Sequence, residues 1–139
     1  MRITDRYLAY AEDFEKTYED GNWGRLEQYF TADAVYDNEP AAKGREAVLA
    51  KLKGAIGGFD QLMDSRTLTF EPATEKGDQV SVRWTARYTK TGAPDLVLKG
   101  VEHARFQGDR IAHLSDVFDP GVQEAMGAWM AAHGATLQS

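Results

Sequence analysis

The chain has 139 residues, a length that fits one domain, and its 42% hydrophobic and 27% charged residues are typical of a globular protein. Its formal net charge of −6 repels phosphate backbones, which argues against a nucleic acid as partner. Cysteine is absent, which excludes disulfides, thiolate nucleophiles and cysteine-bound metals and suits a reducing, cytoplasmic location.

The first half of the chain predicts helices and one short strand. Apolar residues recur at helical spacing from Tyr7 through Leu8, Ala11 and Phe14 to Tyr18, and the following Asp-Gly pair is a helix-stop signal. The helical pattern over residues 45–56 ends at the pair Gly57-Gly58, which is also a helix-stop signal. In chain order, the predicted elements are helices over residues 4–20 and 23–30, a strand over 34–38 and a helix over 45–56.

From Thr67 onward the apolar period changes to two, which predicts strands. Short turns join these strands, so we expect an antiparallel meander, and an amphipathic helix follows Pro120. The predicted strands cover residues 67–72, 79–90, 95–107 and 110–118. Helices followed by a meander predict an α+β fold with the helices on one sheet face.

The sequence shows no sign of a second domain or of a membrane segment. No repeat or linker interrupts it, so a single domain over residues 1–139 is predicted. It has no stretch of about 18 apolar residues and no apolar signal-peptide core near Met1. We therefore expect no membrane partner.

Two acidic residues fall on the apolar faces of predicted strands. Successive side chains of a strand point to opposite faces, which places Glu102 and Asp116 toward the helices on neighbouring strands. Burial and mutual repulsion raise the pKa of such carboxyls, so one can stay neutral near pH 7 while the other is ionised. The pair is a candidate general acid and base; the alternative is a hydrogen-bonded pair without a chemical role.

Aromatic and apolar side chains are the candidate walls of a ligand pocket. Trp84 and Tyr88 lie on the apolar face of the strand over residues 79–90. The predicted wall residues are Phe14, Tyr18, Phe59, Met63, Trp84, Tyr88, Leu114 and Phe118. The alternative is an ordinary core. His103 and His113 face the opposite side of the sheet without a third ligand, so no metal site is expected.

The segment from Asp20 to Pro40, followed by a helix start, resembles the NTF2-like superfamily, and so do Gly100–Phe106 and Gly108–Ile111. The resemblance is to its SnoaL-like and ketosteroid isomerase-like branch. It implies an NTF2-like (cystatin-like) cone in which a curved antiparallel sheet wraps around the N-terminal helices and a central pocket. It also implies a hydrophobic small-molecule ligand, no cofactor, and a homodimer formed through the outer sheet face.

The resemblance to ketosteroid isomerase is incomplete at the residues that carry its chemistry. Its oxyanion tyrosine falls at Phe14, which has no hydroxyl. Its base falls at Asn38, which cannot accept a proton at neutral pH, whereas its neutral acidic donor falls at Glu102. Steroid isomerisation is therefore not predicted.

The ending Ser115–Asp119 is similar to limonene epoxide hydrolase and SnoaL-type cyclases, whose aspartate on the last strand falls at Asp116. The resemblance implies that Asp116 is a base and Glu102 an acid or oxyanion donor. Tyr36 and Asn38 on the pocket face are expected to assist; the alternatives are that Tyr36 is an aromatic wall with a satisfied hydroxyl and that Asn38 caps the following turn. The expected activity is cofactor-independent isomerisation, cyclisation or elimination of a hydrophobic carbonyl compound. The alternatives are a non-catalytic ligand-binding dimer and an epoxide hydrolase.

Overall fold

The computed structural model describes residues 2–38 and 40–138. In this part of the chain the α-helices are α1 (Ile3–Asp20), α2 (Arg45–Gly58) and α3 (Val122–His133). The strands are β1 (Phe30–Tyr36), β2 (Ala42–Lys43), β3 (Ser65–Phe70), β4 (Thr74–Lys76), β5 (Gln79–Lys90), β6 (Ala93–Gln107) and β7 (Arg110–Phe118). Short 3-10 helices cover Trp23–Tyr29, Asp60–Leu62 and Gly134–Gln138. None of the described helices has the length and apolar character needed to cross a bilayer.

The seven strands form one sheet in the order β2-β1-β7-β6-β5-β3, and β4 pairs with the same edge of β5 as β3. β5, β6 and β7 are antiparallel neighbours joined by short turns, which confirms the predicted meander. β1 joins β7 in parallel, as the long connection between them allows. Because α1, α2 and α3 contact β5, β1 and β6 respectively, the α+β arrangement is confirmed.

Some strand boundaries differ from the prediction. β1 begins at Phe30, because this fully buried residue pairs with Ile111 of β7, a distant partner that no local pattern reveals. The strand predicted to reach Pro72 ends at Phe70, because proline has no N–H to donate to the ladder. β2 and β4 are missing from the prediction because two and three residues are too few to show a period.

The predicted alternation of inward and outward side chains is observed along β5 and β6, but it differs at the start of β7. In β7 the buried side chain is Ile111, although parity predicts Ala112. A bulge opposite Arg105 and Phe106 adds one residue to β7 and shifts the alternation of its first residues by one position. Parity is restored by Leu114, so Asp116 does point toward the helices.

Candidate active site

A pocket of about 540 Å³ lies between the helices and the sheet. One face of α1 forms its floor, because Tyr7, Tyr10, Ala11, Phe14 and Glu15 follow the spacing of a single helical stripe and all line the cavity. Most of the remaining wall is apolar, which suits a hydrophobic ligand.

Glu102 and Asp116 meet at one end of this pocket. They are directly opposite each other on β6 and β7, which places their side chains on the same sheet face. The hydroxyl of Tyr7 donates to Glu102 Oε1 at 2.6 Å, and that of Tyr36 donates to Asp116 Oδ2 at 2.7 Å. Both carboxyls are enclosed by protein except where they open into the pocket. The structure therefore brings together the two residues predicted to form an acid/base pair.

The environments of the two carboxyls favour a single shared proton. Burial, followed by the negative charge of Asp116, raises the pKa of Glu102 well above its usual range. Burial also raises the pKa of Asp116, but contact with Glu102 and the Tyr36 hydrogen bond counteract part of that rise. Glu102 is therefore the carboxyl of the pair that is better suited to hold a proton, and Asp116 the one better suited to be ionised.

Three buried tyrosines surround the carboxyl pair, and one hydroxyl is free. Tyr7, Tyr10 and Tyr36 are 1%, 3% and 8% exposed, and burial is the largest cause that raises the pKa of each phenol. The hydroxyl of Tyr10 has no hydrogen-bond partner within residues 2–38 and 40–138, and the nearby carboxyl pair adds to the rise of its pKa. Tyr10 is therefore a protonated donor that a ligand can use.

The resemblance to the isomerase placed the oxyanion position at Phe14. Phe14 lines the pocket without a hydroxyl, whereas Tyr10, one helical turn earlier on the same face of α1, lines it with one. Tyr7 and Tyr10 were not predicted as site residues; Tyr7 was assigned to the apolar stripe of this helix. The signal that could have identified them is the i, i+3 spacing of two phenols on the pocket side of α1.

Asn38 is placed beside the pair but is already engaged. Its Oδ1 accepts a hydrogen bond from the backbone N–H of Asp116 at 3.0 Å, and the ammonium of Lys51 donates to its backbone carbonyl. Asn38 therefore fixes the end of β1 against β7, which holds the Asp116 backbone in position. Asp37 points to the outer side, as strand parity predicts, where its carboxylate lies 3.4 Å from His113 Nε2.

Trp84 forms the wall next to Asp116. Its indole N–H is buried without a well-aligned hydrogen-bond acceptor in the described residues, yet it lies near enough to Asp116 to lower the pKa of that carboxyl. The ring lies over Gly100, its cross-strand partner. A Cβ atom on Gly100 would be 2.8 Å from the Trp84 ring and 2.6 Å from the Val117 carbonyl oxygen, so only glycine allows this placement.

Of the predicted wall residues, Phe14, Phe59, Trp84, Tyr88 and Phe118 line the pocket. The structure places three others elsewhere. Leu114 is completely buried in the core between sheet and helices, and Met63 packs in a second buried cluster with Tyr88 and Trp129. The Tyr18 hydroxyl donates to the Asp60 carbonyl, and its ring stacks on Arg66. Strand parity predicts the sheet face on which a side chain lies, but not whether the side chain reaches the cavity or is buried in the core. For this reason Leu114 was predicted as a wall residue.

A second polar group, which the sequence did not reveal, lies at the other end of the pocket. The Arg66 guanidinium donates to both carboxylate oxygens of Glu15, at 2.9 and 3.2 Å. Its Nε lies 3.1 Å from Asp60 Oδ2, and the Tyr88 hydroxyl donates to the same oxygen at 2.9 Å. All four residues line the cavity.

The histidines lie outside the pocket, on the side that parity assigns to them. His103 Nδ1 is 2.7 Å from Ser81 Oγ, and Ser81 is its cross-strand partner on β5. Throughout the described segments, no three His, Cys, Asp or Glu side chains group closely enough to hold a metal ion.

The buried pair gives a testable pH dependence of stability. The pKa of Glu102 is higher in the folded than in the unfolded protein, so the folded state retains a proton that the unfolded state releases. The free energy of unfolding should therefore be greatest below about pH 4 for this group and fall by up to about 1.4 kcal/mol per pH unit above that. In urea titrations from pH 5 to 8, we expect Glu102→Gln to flatten this decline.

The matched control is Glu124→Gln, which removes a carboxylate from an exposed position on α3. It should leave the decline as it is in the parent protein. If the free energy of unfolding declines equally with pH in the parent and Glu102→Gln proteins, the carboxyl pair does not retain a proton in the folded state.

The sequence comparison gives the family, and the structure comparisons give the fold. Residues 11–114 match the SnoaL-like domain, whereas no curated protein matches the sequence significantly. An NTF2-like protein from Burkholderia pseudomallei K96243 has a TM-score of 0.66 at 17% identity, over 93% of this chain and 98% of its own. A candidate SnoaL-like polyketide cyclase from Shewanella putrefaciens CN-32 has a TM-score of 0.64 at 12% identity, over 91% and 96%. TerC, co-crystallised with polyporic acid, has a TM-score of 0.61 at 17% identity, over 99% and 98%.

At these identities the structural likenesses show the fold alone, and that fold is the NTF2-like cone that the resemblance implies. The family match is stronger, because it extends over more than half of the chain. The protein is thus a member of the SnoaL-like domain family, which includes cyclases and isomerases.

Proposed function

We propose that the protein is a cofactor-independent acid/base enzyme of the isomerase, cyclase or lyase type, which acts on a hydrophobic carbonyl compound. The observation that carries this proposal is the Glu102–Asp116 pair, two carboxyls that lie opposite each other on β6 and β7 and face one apolar pocket. Such a pair supplies a base and a hydrogen-bond donor at the same point. The crystal of TerC with polyporic acid supports ligand binding in this fold.

In the proposed first step, the Asp116 carboxylate removes a proton from the carbon next to the substrate carbonyl. The electron pair of that C–H bond forms the enolate, and the negative charge moves to the carbonyl oxygen. The free hydroxyl of Tyr10 and the protonated carboxyl of Glu102 donate hydrogen bonds to this oxygen. In isomerisation, Asp116 returns the proton to another carbon of the enolate. In cyclisation, the enolate carbon attacks a second carbonyl and Asp116 gives the proton to the resulting alkoxide oxygen. In elimination, the enolate re-forms the carbonyl and a C=C bond while the leaving group departs with its bonding electron pair and takes the proton from Asp116.

The enolate step can be tested before a substrate is identified. When 2-tetralone, a hydrophobic ketone with acidic α-protons, is incubated with the protein in D₂O, we expect the α-proton NMR signals to decay in proportion to protein concentration. Acetone should exchange far less, because it cannot use the binding energy of the apolar walls. Binding of hydrophobic ketones without exchange of any of them would refute the proposal.

That outcome would favour the second candidate, a non-catalytic protein that binds hydrophobic small molecules. The observation in its favour is that Tyr7 and Tyr36 already hydrogen-bond the two carboxyls, which satisfies both without a ligand. Epoxide hydrolysis has weaker support. The resemblance to limonene epoxide hydrolase implies an Arg-x-Asp on an earlier strand. The nearest match here is Arg83, which is not followed by that aspartate, lies on the outer face and binds Asp119 at 2.8 Å.

A further inference from the structure

We infer that Glu15, Arg66, Asp60 and Tyr88 form a second subsite of the pocket, which binds a hydrogen-bond-donating end group of the ligand, best an ammonium, and rejects a carboxylate. We call these four residues the distal cluster. The inference deepens the proposed function and rests on it, since it assumes that the ligand carbonyl lies at the Glu102–Asp116 end.

The distal cluster lies far enough from the carboxyl pair to contact a different part of the ligand. Tyr7 and Glu15 mark the two ends on α1, and eight helical positions span roughly 12 Å. On β5, Val82 is opposite Glu102 and Tyr88 is opposite Arg66, and six strand positions span roughly 20 Å. The walls between the two ends are apolar and aromatic. The pocket therefore suits an elongated, rigid ligand with polar groups at both ends.

The charges in the distal cluster favour a cation over an anion. Arg66 is the only guanidinium or ammonium group among the described residues that line the pocket, and its side chain is 7% exposed. Two carboxylates bind it, one through a bidentate contact with Glu15 and one through Asp60. Burial raises the pKa of Asp60, and the Tyr88 hydrogen bond and the Arg66 charge counteract that rise. With both carboxyls ionised, the positive charge of Arg66 is compensated and one negative charge remains in excess.

The hydrogen-bonding capacity of the cluster leads to the same conclusion. An ionised carboxylate accepts about four hydrogen bonds, so Glu15 and Asp60 offer more acceptor positions than Arg66 and Tyr88 fill. The Tyr88 hydroxyl and two N–H groups of Arg66 donate to those carboxylates, and the buried Arg66 Nε–H lies 3.1 Å from Asp60 Oδ2 without a well-aligned hydrogen bond. A ligand group that donates hydrogen bonds can thus be satisfied here. A carboxylate would lose its hydration next to like charges.

Equilibrium binding of three matched ketones tests this inference. The probes are 4-acetylbiphenyl derivatives that carry aminomethyl, hydroxymethyl or carboxylate at the 4′ position, and isothermal titration calorimetry at pH 7 gives each Kd. We expect the carboxylate to bind at least about tenfold more weakly than the hydroxymethyl compound, and the aminomethyl compound to bind most tightly. Glu15→Gln should reduce the carboxylate discrimination and weaken binding of the amine.

Glu12→Gln is the matched control, because Glu12 lies on the same helix, is exposed and binds Lys16 away from the pocket. It should leave the three Kd values in their original ratio. Equal affinities for the three probes, no binding of any of them, or the same change in Glu12→Gln as in Glu15→Gln would overturn the inference. Binding does not require turnover, so selectivity without α-proton exchange would refute the proposed reaction and leave the subsite standing.

Discussion

Replacement of Asp116 by asparagine should lower the rate of α-proton exchange about 10²–10⁴-fold, the usual cost of losing one positioned base. Asparagine keeps the size of the side chain and can still accept the 2.7 Å hydrogen bond from Tyr36, but it cannot take a proton. The folded structure should persist, because the substitution also removes a buried charge. Exchange rates by NMR and urea titrations of both proteins provide the measurement.

Asp119→Asn is the matched control for this variant. Asp119 follows the end of the same strand, but its carboxylate binds Arg83 on the outer face. Its loss should leave the exchange rate within about twofold of the parent, as expected for a group outside the reacting site. An Asp116→Asn protein that is folded and exchanges as fast as the parent would show that another group is the base.

The sequence was sufficient to predict the inward direction of the two carboxyls. The period of two continues along β6 and along β7 beyond its bulge, and the turn between them is short, so parity alone places Glu102 and Asp116 on one face of neighbouring strands. Their direct pairing depends on register. The β7 bulge shifts that register near Ile111, but parity is restored before Asp116, so the prediction held.

The helical side of the site was harder to predict because a helix face is defined by its packing. The predicted stripe on α1 included Leu8, which is 51% exposed, and omitted Tyr10, which is buried. Both lie near the edge of the apolar stripe, and only contact with Phe30 and Tyr29 selects Tyr10 for the interior. The partner of Glu102 on this helix, Tyr7, lies 95 positions away from it in the sequence.

The distal cluster could not be predicted from local sequence patterns either. Its members come from α1, from the 3-10 helix Asp60–Leu62 and from β3 and β5, and each is an ordinary polar or aromatic residue in its own segment. Arg66 lies just before Thr67, where the predicted strand begins, and its local pattern does not distinguish it from an ordinary strand residue. Its role arises from the tertiary contact with Glu15, which local periodicity cannot report.

Replacement of Tyr10 by phenylalanine should lower the exchange rate about 10²–10³-fold, the cost of removing one oxyanion donor. Its hydroxyl is the phenol beside the carboxyl pair that has no acceptor in the described segments, so it can bind the oxygen on which charge develops. The interaction strengthens as the enolate forms. Saturation kinetics should therefore show the loss in kcat, with KM nearly unchanged.

Two further variants decide whether the effect belongs to Tyr10 itself. Tyr29→Phe removes a phenol that packs against Tyr10 but bonds Asp13 outside the pocket, so it should leave kcat near the parent value. Tyr7→Phe removes the hydrogen bond to Glu102 and should change the pH profile as well as the rate, because that bond lowers the pKa of Glu102. If Tyr10→Phe retains the parent kcat while Tyr7→Phe loses it, the enolate oxygen is bound by Tyr7 and Glu102, and the assignment of Tyr10 is wrong.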